Sequence, residues 1–578
     1  MTAAPPTAFR LTAGNLDTAL RYRAAIELLA ERWRPDLDIL EVGSGSGGVT
    51  EFLLYPVTGV DPDFERTEER STQWLERRPG RATQLPAPDE SFDAVLCLEM
   101  LEHLSALERE PALREMLRVL RPGGRLVLTF PAGAAAERLD GWLNERFRAR
   151  HGREHPWAAE HLREGLPNRT DVAGALARAA GPLASVSVAG HLPAPAFRIL
   201  HGLYTVGFGS PWTTLAGLRS RLAVSLAFAV LRRMRGGDCY RAVISVDKPL
   251  APSRRPEVSV VVPSWNGREL LDGVLGSLRA QTLVPVQIIV VDNGSDDGTV
   301  EHLHEHWPEV EVIALPQNAG FAAAVNRGIE RARGEHVALV NNDVELDAGF
   351  LEAIAQGLAA HPHAGSAASK MLAFHARDTL DAAGDRFWWT GVAMQRGQGE
   401  RDDGRYDLCE PVFSACAGAA LYRRSALATV GGFDESFFAY LEDVDWGMRA
   451  QLAGFECIYV PEAVAYHVGS ATTARAGARD RYFYGLPRRN SIWLALKNLP
   501  ATSLARHSHR LLGEQAVSFG VSARDGMASA HLAALRAALA GLPRVLRQRA
   551  GIRRDVDAAY LERIVTRDPL PRRRLLRR

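Results

Sequence analysis

The chain has 578 residues, 46% hydrophobic and 24% charged, which is the composition of a folded protein with two or three domains. Its 69 Lys and Arg nearly cancel its 68 Asp and Glu, so no overall field attracts nucleic acid, and we expect no nucleic-acid partner. Its five cysteines form no C-x-x-C pair, and its N-terminus shows no signal peptide. Its longest apolar run, residues 222–231, is too short to span a bilayer. The sequence therefore predicts a cytoplasmic protein.

The first predicted elements are a strand over residues 38–42, a glycine-rich loop over 43–48 and an amphipathic helix that starts near Val49. Glycines accept positive φ and let a ligand approach the backbone closely, while the start of a helix offers N–H groups. A second strand over 56–60 ends in Asp61, close to the spacing at which an acidic residue binds ribose hydroxyls. This order predicts a nucleoside-containing ligand at the loop.

The next landmarks are an apolar strand over 91–98 followed by Glu99 and Glu102-His103, then L-R-P-G-G at 120–124 and a strand over 126–130. With E-V-G-S-G-S-G at 41–47 and S-F-D-A-V at 91–95, they resemble the class I S-adenosylmethionine-dependent methyltransferases. A dinucleotide-binding domain or a structural Rossmann fold is the alternative. His103 is either a base for the methyl acceptor or a structural histidine.

The resemblance implies a cofactor site for S-adenosylmethionine. Glu41 and the loop glycines would line the methionine part, Asp61 would hold the ribose, and the end of the strand at 98–99 would border the site. The implied cofactor-binding residues are Glu41, Gly43, Gly45, Gly47, Asp61, Leu98 and Glu99.

The remainder of the first domain is predicted to add strands over 184–189 and 240–247, the latter antiparallel in that family. Between them lies an insertion, residues 191–237, whose apolar run at 222–231 is bracketed by Arg219, Arg221, Arg232 and Arg233. The insertion either lies on a membrane surface or forms a buried helical hairpin against the neighbouring domain. Both interpretations are open.

After a proline-containing linker at 248–256, strands and helices alternate. Strands are predicted over 258–262, 286–291, 310–314 and 336–340, with helices ending near Ala280 and covering 321–332. This alternation predicts a parallel sheet that binds its ligand at the carboxyl edge.

Four motifs stand at that edge: V-V-V-P-S-W-N-G from 260, V-V-D-N-G-S-D-D-G-T from 290, N-A-G-F-A-A-A-V-N-R-G-I from 318 and L-V-N-N-D-V from 339. They resemble family 2 glycosyltransferases of the GT-A fold, most closely the rhamnosyltransferase type that builds bacterial surface polysaccharides. The likeness implies that Asp292 accepts the N3–H of a pyrimidine base, and that Asn318, Gly320 and Asn326 line ribose and diphosphate. The implied nucleotide-sugar site comprises Pro263, Asn266, Asp292, Asn318, Gly320, Asn326, Asn342 and Asp343.

The same likeness implies a divalent metal, Mg or Mn, on the donor diphosphate, because a cation stabilises the charge of this leaving group. The family's D-x-D is Asn341-Asn342-Asp343 here, so only Asp343 matches the metal position. His467 occupies the place where related enzymes supply an imidazole ligand. We expect Asp343 and His467 to be the metal ligands, with a turn-forming acid and a structural histidine as the alternatives.

An acidic segment, Glu442-Asp443-Val444-Asp445, corresponds to the family's E-D motif. The resemblance makes Asp443 the general base of an inverting displacement, since inversion in one step needs a base opposite the leaving group. Glu442 and Asp445 would support it. The alternative is a cluster of acids that merely caps a helix.

Residues 479–499 resemble the region where these enzymes meet a lipid-linked acceptor, and 501–565 are predicted to be helical. The basic end, 571–578, either contacts anionic lipid on the inner face of the membrane or is a solvated tail.

The sequence thus predicts an α/β protein of two Rossmann-like domains with a helical C-terminal tail: a methyltransferase domain over 1–250, a GT-A domain over 256–500 and a basic extension over 501–578. It predicts a bifunctional enzyme of O-antigen-like polysaccharide synthesis, with a dTDP- or UDP-sugar as donor and a glycan or lipid-linked oligosaccharide as acceptor. The alternative is that one domain is a catalytically inactive binding or regulatory module; Asn341, in place of an acid, keeps this open.

Overall fold

The structure is a computed structural model of the chain. It describes residues 5–8, 16–45, 47–64, 73–181, 183–207, 221–231, 238–250, 256–469, 481–556, 558–566 and 570. The chain forms two compact units, Met1–Ala251 and Pro252–Arg578. Each unit contains its own main sheet, which confirms the predicted α/β class.

The first unit has a seven-stranded sheet in the order β3-β2-β1-β4-β5-β7-β6. The five strands β1 to β5 are parallel, and β7 is antiparallel to both of its neighbours, as predicted. The strands are β1 (Ile39–Val42), β2 (Val57–Asp61), β3 (Leu75–Pro79), β4 (Phe92–Leu98), β5 (Leu120–Pro131), β6 (Ser185–Pro193) and β7 (Cys239–Asp247). The helices are α1 (Leu16–Ala30), α2 (Ala106–Val119), α3 (Gly133–His151), α4 (Pro156–Glu164), α5 (Arg169–Ala180), α6 (Ala194–Gly207) and α7 (Arg221–Leu231).

Two local predictions in this unit are wrong. The amphipathic helix expected after the glycine loop is a single 3₁₀ turn, Gly48–Glu51, because Leu53 pairs with Thr7 and β2 begins soon after Pro56. The L-R-P-G-G segment is not a turn before β5. It is an irregular start of β5, where the partner of Phe92 is Leu120 but that of Ala94 is already Arg125.

The described part of the insertion packs into the core of its own unit. Phe197 and Leu200 of α6 and Phe228 and Leu231 of α7 are buried in the same apolar cluster as Leu139 of α3. The described side chains of these two helices thus contribute to the core of the first unit. Residues 208–220 and 232–237, with Arg219, Arg232 and Arg233, lie outside the described residues.

The second unit has a ten-stranded sheet with the path β10-β9-β8-β11-β18-β13-β19-β12, to which β14 adds beside β13 and β17 beside β19; β15 and β16 form a separate ribbon. The strands are β8 (Val258–Ser264), β9 (Gln287–Asp292), β10 (Glu311–Ala314), β11 (His336–Val340), β12 (Val344–Leu346), β13 (Ala364–Ala373), β14 (Ala376–Ala382), β15 (Asp385–Phe387), β16 (Ala393–Gln395), β17 (Glu410–Val412), β18 (Ala419–Arg423) and β19 (Glu456–His467). The helices are α8 (Arg268–Arg279), α9 (Thr299–His306), α10 (Phe321–Arg331), α11 (Phe350–Ala360), α12 (Arg424–Val430), α13 (Glu442–Leu452), α14 (Arg481–Asn498), α15 (Ala501–Arg524), α16 (Ala528–Ala550) and α17 (Ala558–Ile564).

Strand β11 is central to this sheet. All five of its residues are buried, because β8 and β18 pair with its edges and apolar clusters cover both of its faces. A strand covered on both faces reads as a continuous apolar run, which explains why its bounds were predicted correctly. The parallel strands β8, β9 and β11 therefore end together, at the edge where ligands of such sheets bind.

The C-terminal helices belong to the second unit and pack against its α13. Trp493 of α14, Val545 of α16 and Leu561 of α17 share a buried apolar cluster with Val444 and Met448 of α13. The predicted helical character of this region is confirmed. None of the helices in the described part of the chain has the length and apolar character needed to cross a membrane. The basic segment 571–578 lies outside the described residues.

Candidate active sites

A cavity of about 860 Å³ opens at the carboxyl edge of the second unit's sheet. Its walls come from the ends of β8 and β11, the start of α10, the ribbon β15-β16, the loop before α13, and α14. Of the residues predicted from the sequence, those that line it are Pro263, Asn318, Gly320, Asn342, Asp343, Asp443 and His467. Residues from widely separated motifs thus converge on one space.

Asp292 and Asn266 lie beside this cavity without lining it. Asp292 ends β9 and is only 2% exposed; its Oδ2 accepts a hydrogen bond from the Ser295 N–H at 3.2 Å. Its Oδ1 has no hydrogen-bond partner among the described residues, so this buried oxygen lacks a donor. Asn266 braces the same loop, since its Oδ1 accepts from the Asp296 N–H at 2.9 Å.

Asn318 and Gly320 shape the start of α10. The Asn318 Oδ1 accepts from Asn293 Nδ2 at 3.1 Å and from the Gly320 N–H at 2.9 Å. Gly320 has φ +92°, and a Cβ there would lie 2.6 Å from the ring of Phe438. Only glycine fits this position, which brings the backbone and the N-terminus of α10 to the cavity wall.

Asn326, which was predicted to line the ribose and diphosphate, makes its hydrogen bonds to the segment before α13. Its Nδ2 donates to the Phe433 carbonyl at 2.8 Å and to Glu435 at 3.0 Å, and its Oδ1 accepts from the Phe433 N–H at 2.8 Å. Like Asp292 and Asn266, it does not line the cavity that contains Asp343 and Asp443. The structure therefore makes Asn326 a brace for the segment that leads to α13, because all of its polar atoms are used there.

The polar end of β11 supports a candidate metal position. Asp343 Oδ2 lies 3.5 Å from His467 Nε2, and both side chains line the cavity. Asn341 Oδ1 is buried without a hydrogen-bond partner among the described residues, whereas Asn342 donates to Ser264 Oγ at 3.0 Å. Carboxylate, imidazole and amide oxygen donors at one edge are a set that fits a divalent cation.

Sequence reasoning missed Asp381, which completes this cluster. Asp381 Oδ2 lies 2.8 Å from His467 Nδ1 and would fix the ring so that Nε2 faces Asp343. Burial by itself lowers the pKa of His467, but the carboxylates of Asp343 and Asp381 outweigh it and raise that pKa to about 10. Asp381 comes from β14, far from any motif in the chain, so no sequence signal identified it.

Asp443 stands in the first turn of α13 and lines the cavity. Its Oδ2 accepts from the Ala417 N–H at 3.2 Å and its Oδ1 from the Val444 N–H at 2.8 Å. Burial raises the pKa of Asp443, and it also raises that of Asp385, a second lining carboxyl whose pKa is raised further by Asp443. Asp385 is another residue that the sequence did not reveal.

The two acids that flank Asp443 play different parts. Glu442 is buried at the cavity wall, and its Oε2 has no hydrogen-bond partner among the described residues. Asp445 points away from the cavity and binds Lys497 Nζ at 2.8 Å, Arg449 Nε at 2.9 Å and Asn498 Nδ2 at 2.8 Å. Asp445 is thus an anchor between α13 and α14.

The glycine loop of the first unit forms a second candidate site. Gly43 has φ +77°, and a Cβ there would lie 2.5 Å from Met100 Cγ; Gly45 has φ +53° and faces open space. The Gly45 N–H donates to Asp61 Oδ2 at 3.1 Å, so Asp61 stands directly beside the loop. This open, side-chain-free surface beside an acid fits a nucleoside ligand such as S-adenosylmethionine.

Two acidic side chains, Glu41 and Glu99, lie near this loop. Glu41 Oε2 accepts from the Val49 N–H at 2.7 Å, and burial raises the pKa of Glu41 to about 7. Glu99 follows the buried Leu98 at the end of β4, adopts φ +56° and forms an ion pair with Arg241 at 2.9 Å. Gly47 precedes the 3₁₀ turn. All seven predicted cofactor residues therefore lie on the loop or at the ends of β1, β2 and β4.

Comparisons with known proteins address both units. Residues 259–431 match the family model "Glycosyl transferase family 2", and residues 40–128 match the model "Methyltransferase domain". The chain is 30% identical over 290 residues to the N-acetylglucosaminyl-diphospho-decaprenol L-rhamnosyltransferase of Mycobacterium tuberculosis, which covers 44% of this chain and 92% of that protein. It is 27% identical over 227 residues to an O-antigen biosynthesis protein of Myxococcus xanthus, covering 38% of this chain and 18% of that protein.

Among solved structures, a mannosyltransferase from Pyrobaculum calidifontis in complex with GDP-Man and Mn²⁺ is 18% identical, with a TM-score of 0.34; the match covers 55% of this chain and 85% of that protein. The family assignment does not depend on this distant match. It rests on the family models and on the rhamnosyltransferase relative, which this chain covers almost completely. The chain belongs to glycosyl transferase family 2 and carries a methyltransferase domain in front of its glycosyltransferase domain.

Proposed function

We propose that this chain is a bifunctional enzyme of surface-polysaccharide synthesis. The glycosyltransferase domain transfers a rhamnose-like sugar from a dTDP- or UDP-sugar to a glycan or lipid-linked acceptor, with inversion, and the methyltransferase domain methylates a glycan with S-adenosylmethionine. The observation that carries the proposal is that Asp443 and the Asp343–His467 pair line the same cavity. The names of the rhamnosyltransferase and O-antigen relatives support a surface polysaccharide as the product.

Each part of a nucleotide-sugar donor has a protein group of suitable chemistry to bind it. The unpartnered Asp292 Oδ1 would accept the imide N–H of a uracil or thymine base. The N-terminus of α10 and the glycine at 320 favour a diphosphate nearby. Asp343 and His467 would hold a Mg²⁺ or Mn²⁺ ion, which when bound supplies positive charge for the leaving diphosphate. Asp381 would keep the His467 ring in the required orientation.

On the acceptor side, Asp443 would take the proton of the attacking hydroxyl. Its two oxygens are oriented by the N–H groups of Ala417 and Val444, so the carboxylate is held in place before the acceptor arrives. Phe438, Phe483 and Pro487 give the same cavity an apolar wall. Such a wall suits the faces of sugar rings and the lipid end of a carrier-linked acceptor.

The test uses the full chain with dTDP-rhamnose and, separately, UDP-sugars, in the presence of Mn²⁺ or of EDTA. We expect donor cleavage or transfer with at least one donor and its loss in EDTA. In a parallel assay, S-adenosylmethionine with a labelled methyl group should label a polysaccharide precursor. Tight nucleotide binding without turnover of any donor would instead support the alternative of an inactive binding module.

A further inference from the structure

A cluster of three possible metal ligands lies in the methyltransferase domain, apart from the cofactor residues described above. Glu102 and His103 belong to the 3₁₀ turn Leu101–His103, and His161 belongs to α4. One ligand atom from each residue lies within 4.8 Å of those of the other two. Chain segments that are distant in sequence therefore bring a carboxylate and two imidazoles to one point.

Both imidazoles are oriented by carboxylates. His161 Nδ1 lies 3.0 Å from Asp140 Oδ2, and Asp140 is fully buried and accepts from the Tyr240 hydroxyl at 2.9 Å. His103 Nδ1 lies 3.3 Å from Glu160 Oε1. A carboxylate that accepts the Nδ1–H of a histidine leaves the lone pair of Nε2 for a metal, and metal-binding histidines are usually held in this way.

The third residue, Glu102, points to a bound ligand independently. It is only 3% exposed, and its Oε2 has no hydrogen-bond partner among the described residues. Glu99, three residues earlier in the chain, also carries a buried oxygen without such a partner. A buried carboxyl oxygen without a hydrogen-bond donor can be stabilised by a bound cation, and Arg241 is already engaged with Glu99 and Asp17.

We propose that Glu102, His103 and His161 form a divalent-cation site of the methyltransferase domain, distinct from the metal position of the glycosyltransferase domain. Two imidazoles and one carboxylate favour a first-row transition cation such as Zn²⁺ or Mn²⁺ over Ca²⁺. Three protein ligands leave coordination positions for substrate oxygens. The His103 side chain is 46% exposed, so the site is open to solvent on its side.

The position of the cluster suggests its use, and this step rests on the proposed methyl transfer. Met100, between Glu99 and the 3₁₀ turn, packs against Gly43 of the cofactor loop. A cation beside that loop would bind the acceptor hydroxyl and lower its pKa, and His103, the candidate base from the sequence, would then serve as a ligand of that cation. The hydroxyl proton goes to solvent, and the acceptor oxygen forms the bond to the methyl carbon. The S–CH₃ bond breaks, and its electron pair remains on sulfur.

The first experiment measures bound metal without reference to activity. Full-length protein stripped with EDTA is dialysed against Zn²⁺, and the ions bound per chain are counted by elemental analysis. Glu102→Gln and His103→Gln should each lower the count by about one relative to the unchanged protein. The glycosyltransferase position contributes equally to all samples, so the difference reports the cluster alone. An unchanged count in both variants would overturn the proposal.

Two further variants control for side effects. His151→Gln removes a histidine of the same domain that is outside the cluster and should leave the count unchanged; a fall equal to that of His103→Gln would mean surface binding and would also overturn the proposal. Glu160→Gln, which removes only the orienting carboxylate, should weaken the binding of Zn²⁺ about 10-fold. Metal binding by a chain that never transfers methyl groups would keep the site and reject only its role in the proposed function.

Discussion

At the scale of single residues, the assignment of Asp443 makes a direct prediction. Asp443→Asn keeps the size of the side chain but cannot take a proton, so the rate of sugar transfer should fall by a factor of about 10²–10⁴. Nucleotide affinity, measured by calorimetry, should stay within about twofold, since the proposed role places Asp443 at the acceptor hydroxyl and not at the nucleobase. The matched control is Asp403→Asn, an exposed acid paired with Arg405. Equal losses of transfer and of nucleotide affinity would refute the role of Asp443 as base.

Burial also gives the transfer reaction a pH signature. The base acts only when ionised, and burial raises the pKa of Asp443 above its ordinary value of 3.8. The neighbouring Glu442 and Asp385 have raised pKa values as well, which is the expected result of carboxyls buried together. Activity should therefore be lost on acidification at a higher pH than an exposed aspartate would give. A profile of kcat/KM against pH that stays flat down to pH 4 would contradict this.

Asp381 is the residue whose role the structure adds to the donor side. Because Asp381 contacts Nδ1 of His467 and would orient its ring, Asp381→Asn should weaken Mn²⁺ binding by about 10–100-fold and leave nucleotide affinity without metal unchanged. Asp378→Asn is the matched control, since it changes an exposed acid on the same strand. Equal Mn²⁺ affinity in the two variants, by titration, would remove Asp381 from the site.

At the scale of elements, α14 holds the loop that leads to Asp443, the proposed base. Phe438, Tyr440 and Leu441 all have φ near +70°, a conformation that is costly for residues with a Cβ. The buried Asn490 of α14 donates its amide hydrogens to the carbonyls of Phe437, Ala439 and Tyr440 at 2.8–3.1 Å. One side chain thus compensates a strained loop.

Asn490→Ala should therefore act on both stability and catalysis. It leaves buried carbonyls without a donor, so the free energy of unfolding should drop by about 3 kcal/mol. The relaxed loop should lower kcat more than it raises the donor KM, because Asp443 follows the loop directly. Ser491→Ala is the control in denaturant unfolding and in kinetics, because the Ser491 hydroxyl donates to the Arg488 carbonyl within α14 itself. A stability loss with unchanged kcat would reject the positioning role.

Elements with strong local patterns could be predicted, and contacts across the sheet could not. The run at 336–340 and the alternation around it define β8, β9 and β11 from sequence, because apolar periodicity and polar strand ends are local signals. The prediction of a helix after Gly47 was wrong because the pairing of Leu53 with Thr7 joins residues far apart in the chain and leaves no local sequence pattern. Asp381 and Asp385 were not identified for the same reason, and the contacts of Asn326 with Phe433 and Glu435 could not be predicted because they join residues far apart in the chain.

At the scale of the whole molecule, the two units have separate apolar cores. We expect residues 1–251 and 252–578 to fold when expressed as separate proteins. S-adenosylmethionine should raise the melting temperature of the first alone, and dTDP or UDP that of the second alone, because a ligand stabilises only the fold that binds it. Circular dichroism melts of both proteins with each ligand test this. A first unit that is unfolded alone would contradict it.

The apolar cluster that joins α13 to α17 bears on how the protein is made. On the ribosome, the methyltransferase unit emerges with its whole core and can fold while translation continues. The glycosyltransferase unit has to wait, since Val444 and Met448, close in sequence to Asp443, share their apolar cluster with Leu561 and Val565, which are synthesised long afterwards. A stalled chain would then display a finished methyltransferase on an incomplete glycosyltransferase, and sugar transfer would begin only after translation has passed residue 565.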